Sequence, residues 1–342
     1  MPVASLPQAP PSIPHAPRDQ PLPLSFAQQR LWYLQQMEPS SSAYNNASNF
    51  RLTGALDTKA LQAALDELVR RHEVLRTTYT LSDNGTAVQI IHPGGSLPMP
   101  MEEVPGATPE EREANMVRRC QEHAALPFDL EKGPVVRALL LRLGAQEHVL
   151  SLILHHAVSD AWCTMVLARE LTILYACFGA GMPSPLPELP VQYADYAVWQ
   201  RQYLEGAVLD EQLRWWKDQL LGVPALELPT DRPRPAVQSY AGDLLAFQWP
   251  KELSEPLLSL GRREGATSFM VMMALYQLLL GRYSGQDDFA IGTPIAGRTR
   301  PEVEGLIGCF LNTLAFRSRL NGALTFRELL GRVKQQALGA YT

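Results

Sequence analysis

The sequence predicts an α/β chain (α+β in two layers), and three observations lead there. Short apolar runs such as Leu150–Leu154 read as buried strands. Longer segments such as Asp57–Arg71 repeat apolar residues at helical spacing, with Leu61, Leu65, Leu68 and Val69 on one face. The two kinds alternate irregularly over 342 residues without an internal repeat. That length exceeds one compact core, so two lobes are expected.

Residues 1–23 hold eight prolines and almost no periodicity, the composition of a semi-extended linker or tail. Order is expected from Ser25, where Ser25 and Gln28 form a capping-box pattern ahead of Phe26, Leu31 and Leu34. Asn49–Leu52 reads as a short strand. Val74–Tyr79 and Ala87–Ile91 read as strands paired about Asn84-Gly85, a hairpin signal. Thr108-Pro109, with Glu111, opens a helix with proline in its first turn. Val135–Leu143 and His148–Leu154 are expected strands. Ala161–Phe178 is an expected helix that turns Val166, Leu167, Leu171 and Leu174 inward.

Gly179–Pro190, with four prolines and two glycines, is the expected joint between lobes 24–178 and 179–342. Beyond it, Val191–Leu220 reads as helical and aromatic-rich, and Leu244–Trp249 as a strand. Thr267–Tyr283 reads as a buried helix, Phe289–Ile291 and Phe310–Arg317 as strands, and Thr325 as the start of a last helix.

Hydrophobic residues make up 46% of the chain and charged residues 19%, the balance of a soluble globular protein. A net charge of −5 argues against nucleic acid as the main ligand. The longest apolar stretch, Phe269–Leu280, is too short to span a bilayer, and no signal peptide opens the chain. The four cysteines are scattered without metal-ligand spacing, so they are expected to be reduced thiols in a cytoplasmic protein. Neither membrane nor metal is an expected partner.

The chemistry concentrates in His155-His156-Ala157-Val158-Ser159-Asp160, at the exit of the strand ending at Leu154. Imidazole exchanges protons near neutral pH. Neighbours on a strand face opposite ways, so one of the two histidines can face a cleft while the other packs inward. Asp160 stands where a loop turns into the next helix, as a helix cap or as half of an ion pair locking the loop. Taken singly, each is explained by a satisfied core histidine or a capping aspartate. The cluster is hard to explain by packing alone.

His155–Asp160 resembles the active-site motif of nonribosomal peptide synthetase condensation domains, within the wider superfamily of chloramphenicol acetyltransferase-like, CoA-dependent acyltransferases. Four further stretches resemble that family's signatures in order: Ser25–Trp32, Arg71–Thr78, Tyr193–Trp199 and Ile307–Leu314. The resemblance implies two chloramphenicol acetyltransferase-like lobes set as a V-shaped pseudo-dimer, with the motif loop where they meet and a tunnel crossing there. It implies that donor and acceptor peptidyl carrier proteins each bring a substrate as a thioester on a phosphopantetheine arm. The domain itself would bind no cofactor, and an adenylation domain would be its neighbour.

By the same resemblance His156 faces the tunnel as the catalytic group, either a base or a positioning hydrogen-bond partner. His155 packs inward. Asp160 is structural and pairs with an arginine of the second signature, for which Arg76 is the best match, with Arg71 in support. Ala161, Trp162, Trp199 and Asn312 are implied near the tunnel or substrate. Taken alone, Arg71 and Arg76 read as solvated or strand-edge charges and Trp199 as core.

Two departures stand out. The family usually carries glycine where this chain has Ala161, so a left-handed turn there would be strained, or a methyl would narrow the tunnel. The family's last two signatures are absent, and the second lobe is expected to be incomplete. Retained histidines and Ser159-Asp160-Ala161-Trp162 look most like the type joining an L-donor to an L-acceptor. The alternatives are a starter domain that N-acylates an amino acid with a fatty acyl group, a stand-alone CoA-dependent acyltransferase, and a non-catalytic recruitment module.

Overall fold

The computed structural model describes residues 11–236 and 242–341. Along the chain run β1 (Leu22–Pro23), α1 (Phe26–Met37), β2 (Asn45–Thr53), α2 (Thr58–Arg71), β3 (Thr77–Leu81), β4 (Ala87–Ile91), β5 (Met101–Glu103), α3 (Pro109–Ala125), β6 (Val136–Gly144), β7 (Glu147–His155) and α4 (Ala161–Gly179). There follow α5 (Tyr193–Tyr203), α6 (Gly206–Leu220), α7 (Lys251–Arg263), α8 (Ser268–Ser284), β8 (Asp288–Ile295), α9 (Pro301–Glu304), β9 (Asn312–Arg319) and α10 (Phe326–Tyr341). The mixed α/β class is as expected. Two compact units result: Met1–Gly206 with Ala296–Leu311, and Ala207–Ile295 with Asn312–Thr342.

The first unit is organised by a sheet in the order β2-β7-β6-β5, antiparallel except for the parallel β5–β6 pair. Strand alternation sorts its side chains. Leu139, Leu141 and Val149 pack with Met116 and Cys120 of α3, while Ala138, Leu140, Leu150, Leu152 and Leu154 join the main core with α2 and α4. Helices therefore cover both faces. Asp57 caps α2 by accepting from Lys59 N and Ala60 N, and α2 lies along α4. By length and composition α4 is apolar enough to cross a bilayer. Its Val166, Leu167, Leu171 and Leu174 are nonetheless buried in this core.

The expected tail is a strap from Pro11 to Leu24, and residues 1–10 lie outside the described residues. Ile13, Leu22 and Leu24 are buried, and β1 adds an edge to a second sheet, β1-β4-β3. Arg18 bridges Glu73 and the buried Asp195, and Pro11 O accepts from the Trp199 indole. Order thus begins well before Ser25, because this proline-rich segment carries enough apolar side chains to be packed.

The expected joint at 179–190 lies inside the first unit. Val191 is buried there, and Pro187 O accepts from Arg71. The aromatic segment from 191 divides at Leu204 into α5, which packs in the first unit, and α6, which belongs to the second.

In the second unit the antiparallel β8–β9 pair packs Leu314 and Phe316 against Met270, Val271 and Ala274 of α8 and Leu329, Leu330 and Val333 of α10. Leu244–Trp249 is not a strand. It has no ladder partner among the described residues, and Leu244 and Leu245 are 85% and 88% exposed; residues 237–241 lie outside the described residues. Helix α7 forms in spite of Pro256 inside it, a residue that removes one backbone donor from the helix.

Candidate active site

Strand β7 carries the motif to its place. His155 N donates to Val135 O and His156 N to Tyr44 O, so the strand is pinned on both sides at its last residues. A single 3₁₀ turn, His156–Val158, then reverses the chain into α4.

The two histidines separate as the alternation predicts. His155 is 1% exposed, its Nδ1 accepts from Ala157 N at 3.0 Å, and the Phe128 ring sits edge-on at 6.0 Å. Burial, with His156 adjacent, pushes its pKa down to about 4, so it stays neutral. His156 is partly exposed. Its Nδ1 lies 3.7 Å from Cys309 Sγ, while Nε2 has no hydrogen-bond partner among the described residues.

Asp160 is both cap and ion-pair member. It accepts from Cys163 N at the start of α4, and Arg298 Nη2 stands 3.2 Å from Oδ1 and 3.3 Å from Oδ2. Its expected partner, Arg76, is elsewhere. That guanidinium donates to His92 O and faces Glu73, because the short 3₁₀ turn Glu73–Arg76 aims it along the β3–β4 hairpin. No sequence signal marks Arg298, an arginine in a polar loop.

Arg71 is also not a solvated charge. It is buried against Glu170 of α4, at 3.2 Å and 3.3 Å, with His72 Nε2 at 3.0 Å from the same carboxylate. Burial alone would raise the Glu170 pKa, but the His72 and Arg71 contacts outweigh it and hold it down at about 2. Burial pushes His72 down, so a neutral ring donates from Nε2 to Glu170 and accepts Ile307 N–H on Nδ1, at 3.4 Å.

These contacts fix one loop residue by residue. Leu306 O accepts from Arg298, Ile307 N donates to His72, and Gly308 N and O both meet Cys163 Sγ. Cys309 O accepts from Tyr193 OH, and Phe310 N donates to Asp160 Oδ2 at 3.1 Å. Glycine is required at 308, where a Cβ would lie 2.0 Å from the Tyr193 ring. At Gly297, with φ +63°, a Cβ would lie 2.1 Å from Phe310 O. The fifth signature is therefore the wall that the motif leans on, and Ser25 and Gln28 of the first hold Tyr193 and Tyr79 behind it.

Ala161 is the first residue of α4, a right-handed position, so alanine costs no left-handed strain there. Its side chain is exposed. Trp162 is 37% exposed and donates its indole N–H to Glu304 O. Trp199 is a packing residue, stacked on Tyr203 at 5.1 Å and beneath Arg300. Asn312 opens β9 in the second unit, exposed, accepting from Thr313 N. A cavity of about 550 Å³ in the second unit, bordered by Trp215, Gln277 and Arg317, contains no motif residue. All four cysteines are free.

A family model described as Condensation domain matches residues 18–342. A linear gramicidin synthase of Brevibacillus parabrevis is 50% identical over 326 residues, covering 95% of this chain and 4% of that protein. The X-domain from teicoplanin biosynthesis superposes with a TM-score of 0.86 at 30% identity, over 97% of this chain and 73% of that chain. The first condensation domain of the calcium-dependent antibiotic synthetase gives 0.79 at 21% identity, over 94% and 75%, a likeness of fold alone. The chain thus spans a small part of that synthase and about three quarters of the two solved chains.

Proposed function

This chain belongs to the condensation-domain family, and on that premise we propose that it joins two carrier-bound substrates through an amide bond in nonribosomal peptide synthesis. One observation carries the reading. One partly exposed imidazole, His156, directly follows a rigid strand with Nε2 unengaged among the described residues, while His155 and Asp160 beside it are buried and occupied by structural contacts.

Each substrate arrives as a thioester on the phosphopantetheine arm of a carrier protein. The acceptor amine attacks the donor thioester carbonyl. The C–N bond forms, the C–S bond breaks, and the thiolate leaves with the proton that the nitrogen gives up. A thioester is already an activated acyl group, so alignment supplies much of the rate, with effective molarities of about 10⁵ to 10⁸ M. Proton handling or hydrogen bonding at His156 adds about 10² to 10⁴-fold. Asp160, His155, Arg298 and the 306–310 loop hold that ring and do no chemistry. Ala161 and Trp162, exposed on the first turn of α4, border the substrate. The run Ser159-Asp160-Ala161-Trp162 and the retained histidines support joining an L-donor to an L-acceptor.

The test is dipeptide formation by the chain within its native polypeptide. A donor carrier loaded with L-phenylalanine is mixed with an acceptor carrier loaded with L-alanine, and products are read by mass spectrometry. Amide product from this pair upholds the reading. Product only with a myristoylated donor arm identifies a starter domain. Product from myristoyl-CoA and free amino acid without carriers, or carrier binding with no product at all, overturns it.

A further inference from the structure

Cys309 has no part in the ion pair, and the acyl-transfer steps make no use of its thiol. It is 1% exposed, and its backbone is clamped on both sides, by Tyr193 OH on its own carbonyl and by Asp160 on the next amide. That clamp presents the thiol to His156 Nδ1 at 3.7 Å, within reach of a sulfur hydrogen bond. Sulfur is a poor hydrogen-bond acceptor and an unprotonated imidazole nitrogen a good one, so at this contact the S–H donates and the ring nitrogen accepts.

From this geometry we infer that Cys309 is a positioning residue that donates S–H to His156 Nδ1, holding the neutral ring in the tautomer with its proton on Nε2. A neutral imidazole carries one N–H, and the hydrogen bond at one nitrogen fixes the role of the other. Burial supports the assignment, because it pushes the thiol up to about 12 and keeps the S–H intact at neutral pH. The consequence, which rests on the condensation reading, is a choice between the two roles open to His156. With Nε2 protonated, the ring is a donor. It hydrogen-bonds the oxyanion of the tetrahedral intermediate and takes no proton from the amine. The proton on the attacking nitrogen passes to the departing thiolate, so charge and atoms balance without protonating His156.

The tautomer can be read without activity. In the ¹⁵N-histidine-labelled chain, the His156 ring is assigned by its loss in His156→Ala. The ring is expected to be mainly Nε2-protonated in the wild type, to shift toward a mixture in Cys309→Ala, and to return in Cys309→Ser, whose hydroxyl also donates. Condensation should fall about 10-fold in Cys309→Ala with a displaced pH profile, and recover in Cys309→Ser, as a disturbed tautomer predicts. An Nδ1-protonated wild-type ring, or a tautomer indifferent to Cys309→Ala, overturns the inference. A wild-type chain with the Nε2-protonated ring but no amide product overturns the condensation reading and upholds the positioning by Cys309.

Discussion

Asp160 and Arg298, 138 residues apart in sequence, share a buried ion pair in which one guanidinium nitrogen spans both carboxylate oxygens at 3.2 Å and 3.3 Å. The same arginine holds Val303 O and Leu306 O and lies 4.0 Å over the Phe310 ring. The pair therefore ties the motif turn to the loop that faces it. Removing one partner strands a charge among buried atoms.

Asp160→Ala and Arg298→Ala should each destabilise the chain by about 3–5 kcal/mol, and the double variant by clearly less than their sum. Urea unfolding of the four proteins checks this. Arg76→Ala, whose guanidinium meets His92 O and Glu73 among the described residues, should cost about 1 kcal/mol or less. Equal losses for Arg76→Ala and Arg298→Ala would contradict the pairing.

His156→Ala should leave the unfolding midpoint nearly unchanged, since the ring is partly exposed and, among the described residues, Cys309 is its one side-chain partner. Amide formation between loaded carriers should fall by about 10² to 10⁴-fold. A variant that folds normally and keeps its rate would remove His156 from the chemistry.

His155 makes stability depend on pH. Its folded-state pKa is pushed down to about 4, below the unfolded value near 6.5. Between those limits the unfolded chain binds the extra proton, so stability is full above about pH 6.5 and falls as the pH drops toward 4, by up to about 3 kcal/mol. His155→Asn keeps an acceptor for Ala157 N and does not titrate. It should flatten the unfolding free energy across that window; an unaltered slope would count against a neutral His155.

Gly308→Ala places a methyl 2.0 Å from the Tyr193 ring, which backs on Ser25 and Cys309. The loop must shift or the ring must move, at about 1–3 kcal/mol. The Cys309–His156 contact should loosen with it, so rate should fall further than the stability loss alone explains. Thermal unfolding and carrier-based turnover on one preparation separate the two effects.

The local pattern of this fold is legible wherever one element decides its own structure. Ser25 and Gln28 announce a capped helix, the apolar spacing of 57–71 announces another, and strand alternation separates His155 from His156. What stays hidden in the sequence depends on distant chain segments meeting. Arg298 sits in a loop with no periodicity, and nothing local distinguishes it from Arg76 as the partner of Asp160. Glu170 carries no local mark at all, and only the packing of α2 on α4 brings Arg71 and His72 to it. Leu244–Trp249 has strand composition but no ladder partner among the described residues, and a strand needs one. Prolines between Pro11 and Pro23 suggest a loose tail, yet Ile13, Leu22 and Leu24 pay for its ordering by burial.

That last segment decides where such a domain can be cut. A recombinant exchange made at Ser25 would preserve every signature and discard the fastening: the Arg18 guanidinium and the Ala16 amide that neutralise Asp195, and the carbonyl of Pro11 that receives the Trp199 indole. Asp195 would then be a sealed anion without its counter-charge, in the first turn of the helix that opens on Tyr193. Grafts should take their seam upstream of Pro11, so that the transplanted piece travels with its own belt.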